Sequence, residues 1–313
     1  MRKLLFLFLL LTVFITNQVI AQDIRPSFNQ GYARNALESK IPHLWKGIVG
    51  HWVPSLGVTG IKTLRDISGR RNHGTLESTM TLADWVIGGL SHRTLPSGYS
   101  LDYDGDDDFT SLDSAKIPNL VRGSICLWIN PTVADGNDYI FDLQIPRITL
   151  LYFSSQRIIF DTVGVQVNTS SLAVQTLFLC ATWNSDNEER FIYVDAVERA
   201  SDTTAFDTSA TPAGTVRIGA RFSTATNFFN GAIGDVILYN RVLSPSEILE
   251  MYQNPSAMLE LRRPVLAKAP PAGIPIFRRR IEGYCGKCHD NNMIVFKFDK
   301  PCERQVEVAF NER

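Results

Sequence analysis

The sequence predicts an all-β fold of two antiparallel sheets packed face to face, and three observations predict it. Between about residues 47 and 240, short runs rich in Val, Ile, Phe, Tyr and Thr recur with turn residues between them. Several of these runs are apolar on both alternating faces, which suits strands covered on two sides by sheet-on-sheet packing. Pro118, Pro131 and Pro212 fall between the runs, as residues without a backbone N–H should.

The chain opens with Met1-Arg2-Lys3 and then "LLFLFLLLTVFI", a basic start and an apolar stretch too short to span a bilayer comfortably. Ala21, with Val19 two positions earlier, gives a cleavage site before Gln22. Residues 1–21 therefore read as a signal peptide, with a retained anchor as the alternative. The expected location is secreted or in the cell envelope. No later stretch is long and apolar enough to cross a membrane. Residues 22–46 form an N-terminal extension in which "SFNQGYARNALESKIPHLWKG" is a candidate helix.

The strands follow over residues 47–254. In "SICLWIN", Ile125, Leu127 and Ile129 share one face and Cys126 and Trp128 the other, so this strand is expected to be central. "RIIFDT", "TLFLCATW", "RFIYVDAV" and "TVRIGA" read the same way. One helix is well signed at "LSPSEILEMY": Ser244 caps it, Pro245 takes the first helical position and Glu247 completes a capping box. Ile248, Met251 and Tyr252 then form the apolar stripe of a helix short enough to need the sandwich for support. After Asn254 the composition changes, and residues 255–283 contain "LRRPVLAKAPPAGIPIFRRR", with four prolines, six basic residues and no acid. This reads as an extended linker before a cysteine-containing tail, residues 284–313.

Three stretches together resemble the laminin-G-like, or concanavalin A-like, jelly-roll domain of many secreted and viral proteins. They are "GHWVPSLGVTGIKTLRDISGRRNHGTL", "YSLDYDGDDDFTSL" followed by "GSICLWINP", and "FFNGAIGDVILYNRVLSPSEILEMYQNP". The last is the most specific, with a glycine and an acid before an apolar run and then Leu243, Ser244, Glu247 and Ile248 at the helix start. "ATWNSDNEERFIYVDAVERA" also fits, although Ala196 stands where the family usually has glycine. The resemblance covers roughly residues 47 to 254 and implies a jelly-roll sandwich with one short helix after the last strand. The entry segment "FNQGYARNALESKIPHLWKGIVGHWVPSLG" looks like a subgroup common in environmental bacterial and phage sequences, which adds a virion to the candidate origins.

The same sandwich carries glucanases, so catalysis has to be argued on residues. Glycoside cleavage needs an acid and a nucleophile or base a few ångströms apart, yet no Glu-x-Asp-x-x-Glu pattern occurs and "NEERFIYVDAVE" is apolar where such a pair would sit. There is no Gly-x-Ser-x-Gly, and His43, His51, His73 and His92 all precede the main strand array. His73 matches a family turn and is read as structural. The expectation is a non-catalytic module that recognises carbohydrate or another surface partner. The alternative is a structural or decoration protein of a phage or cell surface, whose sandwich mediates protein–protein contacts. A net charge of −1 and a pI near 6.5 give no global reason to expect nucleic acid or an anionic membrane. The oligomeric state is not legible. Trp128 and Trp183 read as core, whereas Trp85, Tyr139 and Phe228-Phe229 lie nearer turns, where a sugar ring could stack. Asn168-Thr169-Ser170 is a glycosylation sequon, meaningful only in a eukaryotic secretory pathway.

Two clusters suggest metals. "LDYDGDDDF" sets Asp102, Asp104, Asp106, Asp107 and Asp108 around Gly105. Its spacing fails the EF-hand loop, which wants its glycine sixth and a glutamate twelfth. Asp104-Gly105 reads as a tight hairpin turn, leaving Asp106, Asp107 and Asp108 as candidate calcium ligands at the sandwich rim, with Asn137-Asp138 as another candidate. Some relatives of the family bind calcium there. In the tail, "YCGKCHD" places Cys285, Cys288 and His289 in the Cys-x-x-Cys-His order of c-type haem attachment, with Met293 the nearby candidate sixth ligand. Cys302, returning across a hairpin in "MIVFKFDKPC", offers instead a disulfide clip or, with Cys285, Cys288 and His289, a zinc set. Five cysteines leave at least one outside any intrachain pair.

Overall fold

The computed structural model describes residues 32–262, apart from 78, 89, 91–97, 133–135 and 223–226, and two short strands of the tail. Residues 1–21 and the cluster Cys285, Cys288, His289, Met293 and Cys302 lie outside the described residues, and with them the signal-peptide, clip, zinc and haem readings. In chain order the strands are β1 (Ile48–Trp52), β2 (Thr63–Leu64), β3 (Gly74–Leu76), β4 (Trp85–Ile87), β5 (Tyr99–Asp104), β6 (Thr110–Asp113), β7 (Arg122–Pro131) and β8 (Asn137–Ile145). They continue as β9 (Ile148–Phe153), β10 (Arg157–Thr162), β11 (Val165–Asn168), β12 (Leu177–Asn184), β13 (Glu189–Val194), β14 (Val197–Asp202), β15 (Ala213–Ile218) and β16 (Asn230–Tyr239). The helix α1 (Pro245–Gln253) follows. In a separate unit, Pro264–Arg313, β17 (Val295–Phe296) pairs antiparallel with β18 (Val306–Glu307). That return strand lies beyond Cys302, outside the run the sequence suggested.

The first sheet has the order β14-β13-β12-β7-β16-β5-β4, with β1 also paired to β16, and the second β11-β10-β9-β8-β15-β6-β3-β2. Their pairings are antiparallel. The late strands β15 and β16 slot between early ones, β6 and β8 in one sheet and β5 and β7 in the other. The chain therefore closes both sheets only at its end, and this is the jelly-roll sandwich expected.

Alternation sorts the side chains as read. Ile125, Leu127 and Ile129 face the second sheet, while Cys126 and Trp128 face away from it. Trp183 is core because Gly123, opposite it on β7, leaves room for the indole, whose Nε1 donates to the Leu120 carbonyl at 2.9 Å. The outer face of the first sheet is covered. Ile248 and Met251 of α1 bury on it beside Ile41, Leu44, Ala257 and Met258, and Tyr252 stacks on Trp128 at 5.9 Å. The capping box is complete: Ser244 Oγ accepts the Glu247 N–H at 3.3 Å and Glu247 Oε2 accepts the Ser244 N–H at 2.9 Å. Beneath α1, Cys126 and Cys180, opposite one another on β7 and β12, form a disulfide.

Three expectations need adjusting. No α-helix forms in the described part of the N-terminal extension; Pro42 begins a 3-10 turn, Pro42–Trp45, and biases Ile41 before it away from helical backbone. Residues 255–262, assigned to the linker on composition, pack on the sandwich: Ala257, Met258 and Leu259 are at most 3 % exposed, and Arg262 N–H donates to the Glu38 carbonyl at 2.6 Å. Ala196 is accommodated without glycine. It and Asp195 take φ +62° and +51° in the two-residue β13–β14 turn, the left-handed pair that a type I′ hairpin needs.

Candidate functional site

The acidic loop is not a hairpin. β5 belongs to the first sheet and β6 to the second, so residues 105–109 cross the rim from one to the other. Gly105 takes φ +81°, and a Cβ there would meet Asn230 at 2.7 Å. Asp104 organises the crossing, its Oδ1 accepting the N–H groups of Asp106, Asp107 and Asp108 at 2.8, 3.2 and 3.4 Å. The carboxylates that converge are Asp104, Asp107 and Asp108, with ligand oxygens within 4.8 Å of one another. Asp106, which the sequence placed in the trio, is replaced there by Asp104 because the turn swings residue 104 back over the loop. Asp108 is 3 % exposed, and burial, then the charge of Asp104, pushes its pKa up to about 6. Thr79 Oγ1 lies 2.8 Å from Asp107 Oδ1 and 3.1 Å from Asp108 Oδ1. Asp102 stays on the exposed side of β5. Asp138, opposite Tyr152 near the start of β8, is 2 % exposed, and burial, then the charge of Asp138, raises the Tyr152 pKa.

The aromatics placed near turns are buried: Trp85, Tyr139, Phe228 and Phe229 are all at most 6 % exposed. The half-exposed rings are others. On the outer face of the second sheet, pairing register aligns Thr75, Ser111, Arg217, Asp142, Thr149, Asp161 and Gln166, one from each of β3, β6, β15, β8, β9, β10 and β11. At the ~4.8 Å spacing of strands this polar row runs for roughly 29 Å. Its centre is buried and acidic, and the acids hold an outer layer. Asp142 accepts from the Thr149 hydroxyl and, at 2.9 Å, from the Phe222 N–H, while burial raises its pKa. Asp161 accepts from Gly164 N–H at 2.8 Å and Gln166 Nε2 at 3.1 Å and pairs with Arg147 at 3.2 Å.

Above that row, arginines alternate with rings. Arg217 lies 4.3 Å over Phe109, Arg221 5.7 Å over Tyr139 and 5.8 Å from Phe222, and Arg157 5.5 Å over Phe153. Stacking of this kind holds a guanidinium plane in place while leaving its edge for hydrogen bonds. Arg147, Arg217 and Arg221 each keep a buried Nε with no acceptor among the described residues. Sequence reading missed these arginines because they stand at separate outward positions of strands and turns far apart in the chain. A local signal existed only at Arg221, which precedes Phe222; Arg147, Arg157 and Arg217 have no aromatic beside them in the chain.

Residues 104–249 match a laminin G family model described as the concanavalin A-like lectin/glucanases superfamily. No curated protein matches the chain. Among solved structures, a Trypanosoma rangeli sialidase in complex with 2,3-difluoro-KDN is similar at 15 % identity and TM-score 0.47, over 66 % of this chain and 32 % of that one. A Ruminococcus gnavus IT-sialidase CBM40 bound to α2,3-sialyllactose aligns at 14 % identity and TM-score 0.40, over 49 % and 95 %. A SAP-like pentraxin from Limulus polyphemus follows at 13 % and 0.36, over 43 % and 71 %. The chain spans about a third of the sialidase length. No helix of the described residues is long and apolar enough to cross a membrane.

Proposed function

We propose that this protein is an exported, non-catalytic carbohydrate-recognition module whose site is the outer face of the second sheet and whose ligands carry acidic groups. The observation that carries the reading is the arginine–aromatic layer along the polar row. Sugar rings offer apolar faces to the rings of Phe109, Phe153 and Phe222, and carboxylate or sulfate groups accept from the arginine edges. The acids beneath support recognition in preference to hydrolysis. Asp142 and Asp161 are 0 % and 1 % exposed, and their oxygens already accept from backbone, threonine, glutamine and arginine donors, so neither is free to protonate a leaving group.

A glycan array with the full chain tests this. Uronic-acid, sialylated or sulfated glycans are expected to bind in preference to neutral ones, and Arg217→Ala or Arg221→Ala to weaken binding about tenfold each, the scale of one lost charge-assisted hydrogen bond. Absence of binding to every glycan, or unchanged binding in both variants, overturns the reading.

Calcium belongs to the same proposal. Asp104, Asp107 and Asp108 offer the hard oxygen donors it takes, and the raised pKa of Asp108, set first by burial and then by the charge of Asp104, marks a cost that a cation would relieve. In thermal melts, a chelator is expected to lower the midpoint by several degrees relative to added calcium, with Asp104→Asn removing the difference. Superimposable melts in both conditions would take calcium out of the account.

A further inference from the structure

A concavity of about 430 Å³ is lined by Tyr32, Arg34, Thr63, Arg65, Arg71 and His73. The volume falls within the ~300–1,000 Å³ of small-molecule clefts. Arg34 and Arg65 each hold their guanidinium 5.8 Å from the centre of the Tyr32 ring. Among the described residues, Arg34, Arg65 and Arg71 form no ion pair.

One acid, Asp66, lines the same cleft, and its carboxylate is committed elsewhere. Its Oδ1 accepts from His51 N–H at 3.0 Å and Ser68 N–H at 2.8 Å. Its Oδ2 accepts from Ser68 Oγ at 2.8 Å and Asn72 N–H at 2.9 Å. His73 Nδ1 accepts the Asp66 N–H at 3.0 Å, which puts the proton of the neutral ring on Nε2 and makes that atom a further donor. The lining is thus rich in donors and positive charge, with its single carboxylate saturated by the loop that shapes it.

We infer that this cleft is a binding site for an oxyanion, a sulfate or phosphate group, free or esterified to a sugar. Three unpaired guanidiniums around one cavity repel one another. An oxyanion accepting from their edges cancels that repulsion and matches the fork geometry of arginine. The cleft's lining lies outside residues 104–249, the part of the chain matched by the family model, and shares no residue with the arginine–aromatic layer.

Calorimetric titration of the full chain with inorganic sulfate, inorganic phosphate, glucose 6-sulfate and glucose 6-phosphate tests it, with sodium chloride at equal ionic strength as control. Binding at millimolar concentration or below is expected, weakened at least tenfold by Arg65→Gln, less by Arg65→Lys, and unchanged by Arg217→Ala. Esters binding more tightly than the free ions would assign a sugar-linked group, and equal affinities a free ion. No heat above the chloride control, or binding equal in Arg65→Gln, Arg34→Gln and Arg71→Gln proteins of unaltered melting temperature, overturns the inference. Because Arg217 does not line the cleft, failure here and failure of the glycan reading are told apart.

Discussion

Replacing Arg190 with alanine is expected to cost about 3–5 kcal/mol of stability, the scale of breaking a buried charge pair from one side. Arg190 is carried by β13 of the first sheet, yet it is 0 % exposed and its guanidinium reaches the second. Nη1 donates to Thr162 Oγ1 at 3.0 Å and to the Val165 carbonyl at 2.6 Å. Nη2 pairs with Asp202 and reaches the Thr204 carbonyl at 3.3 Å, and the plane lies 4.7 Å from the centre of the Phe206 ring. Alanine would take the cation from Asp202, leaving it the N–H and hydroxyl of Thr204, and would leave the Thr162, Val165 and Thr204 acceptors short of a donor, with a void where the stem had been. Lysine would rescue little, since a point charge cannot serve two sides of the fork. Urea unfolding with an unchanged m-value checks this. A loss below about 1 kcal/mol would mean that the pair behaves like a surface one.

The second large effect is hidden in the parent protein. Asp235 on β16 is 6 % exposed, with Oδ1 accepting the Ser55 N–H at 3.1 Å and Oδ2 the Ser55 hydroxyl at 2.7 Å. Burial outweighs those bonds and pushes its pKa up to about 7. His51 on the adjacent β1 is 1 % exposed, and burial pushes its pKa down to about 4 against the pull of Asp66. Both side chains line one small cavity beneath α1.

Folded Asp235 keeps its proton up to about pH 7, while the unfolded chain loses it near 3.8, so its contribution falls as pH rises between those values. Folded His51 stays neutral down to about pH 4, while the unfolded chain takes a proton near 6.5, so its contribution falls as pH drops between them. From about pH 4 to 6.5 the two slopes oppose one another. Asp235→Asn is therefore expected to gain stability with rising pH across that window, by about 3 kcal/mol, relative to the parent. His51→Gln should lose a comparable amount over the same range. Urea midpoints across the window measure both, and parallel pH profiles in parent and variants would refute the opposition.

Asp235 also shows how a pattern can be visible without its reason. The glycine and acid before the last apolar run are plain in "GAIGDVILY". That the acid ties Ser55, 180 residues earlier, to β16 emerges only when the strand is laid beside β1. His73 is similar: the turn "RRNHGTL" marked it as structural, and the bond from Asp66 N–H to its Nδ1 supplies the cause.

Local rules were enough for what is local. Alternation in "SICLWIN" assigned both faces of β7, and Ser244, Pro245 and Glu247 located the start of α1, because side-chain periodicity and capping bonds involve residues within a few positions. Composition misjudged residues 255–262, since proline and arginine content says nothing about whether Ala257-Met258-Leu259 finds an apolar surface to cover.

By itself, then, the sequence determined the antiparallel sandwich, its central strands, the capped helix α1 and the presence of the acidic loop. Tertiary structure alone decided that Asp104 joins Asp107 and Asp108, that Cys126 meets Cys180, and that Arg147, Arg157, Arg217 and Arg221 share one face. The physical reason is the late insertion of β15 between β6 and β8. Arg217 acquires Asp142 and Ser111 as neighbours through sheet register, a relation between residues more than 70 positions apart that no local pattern encodes.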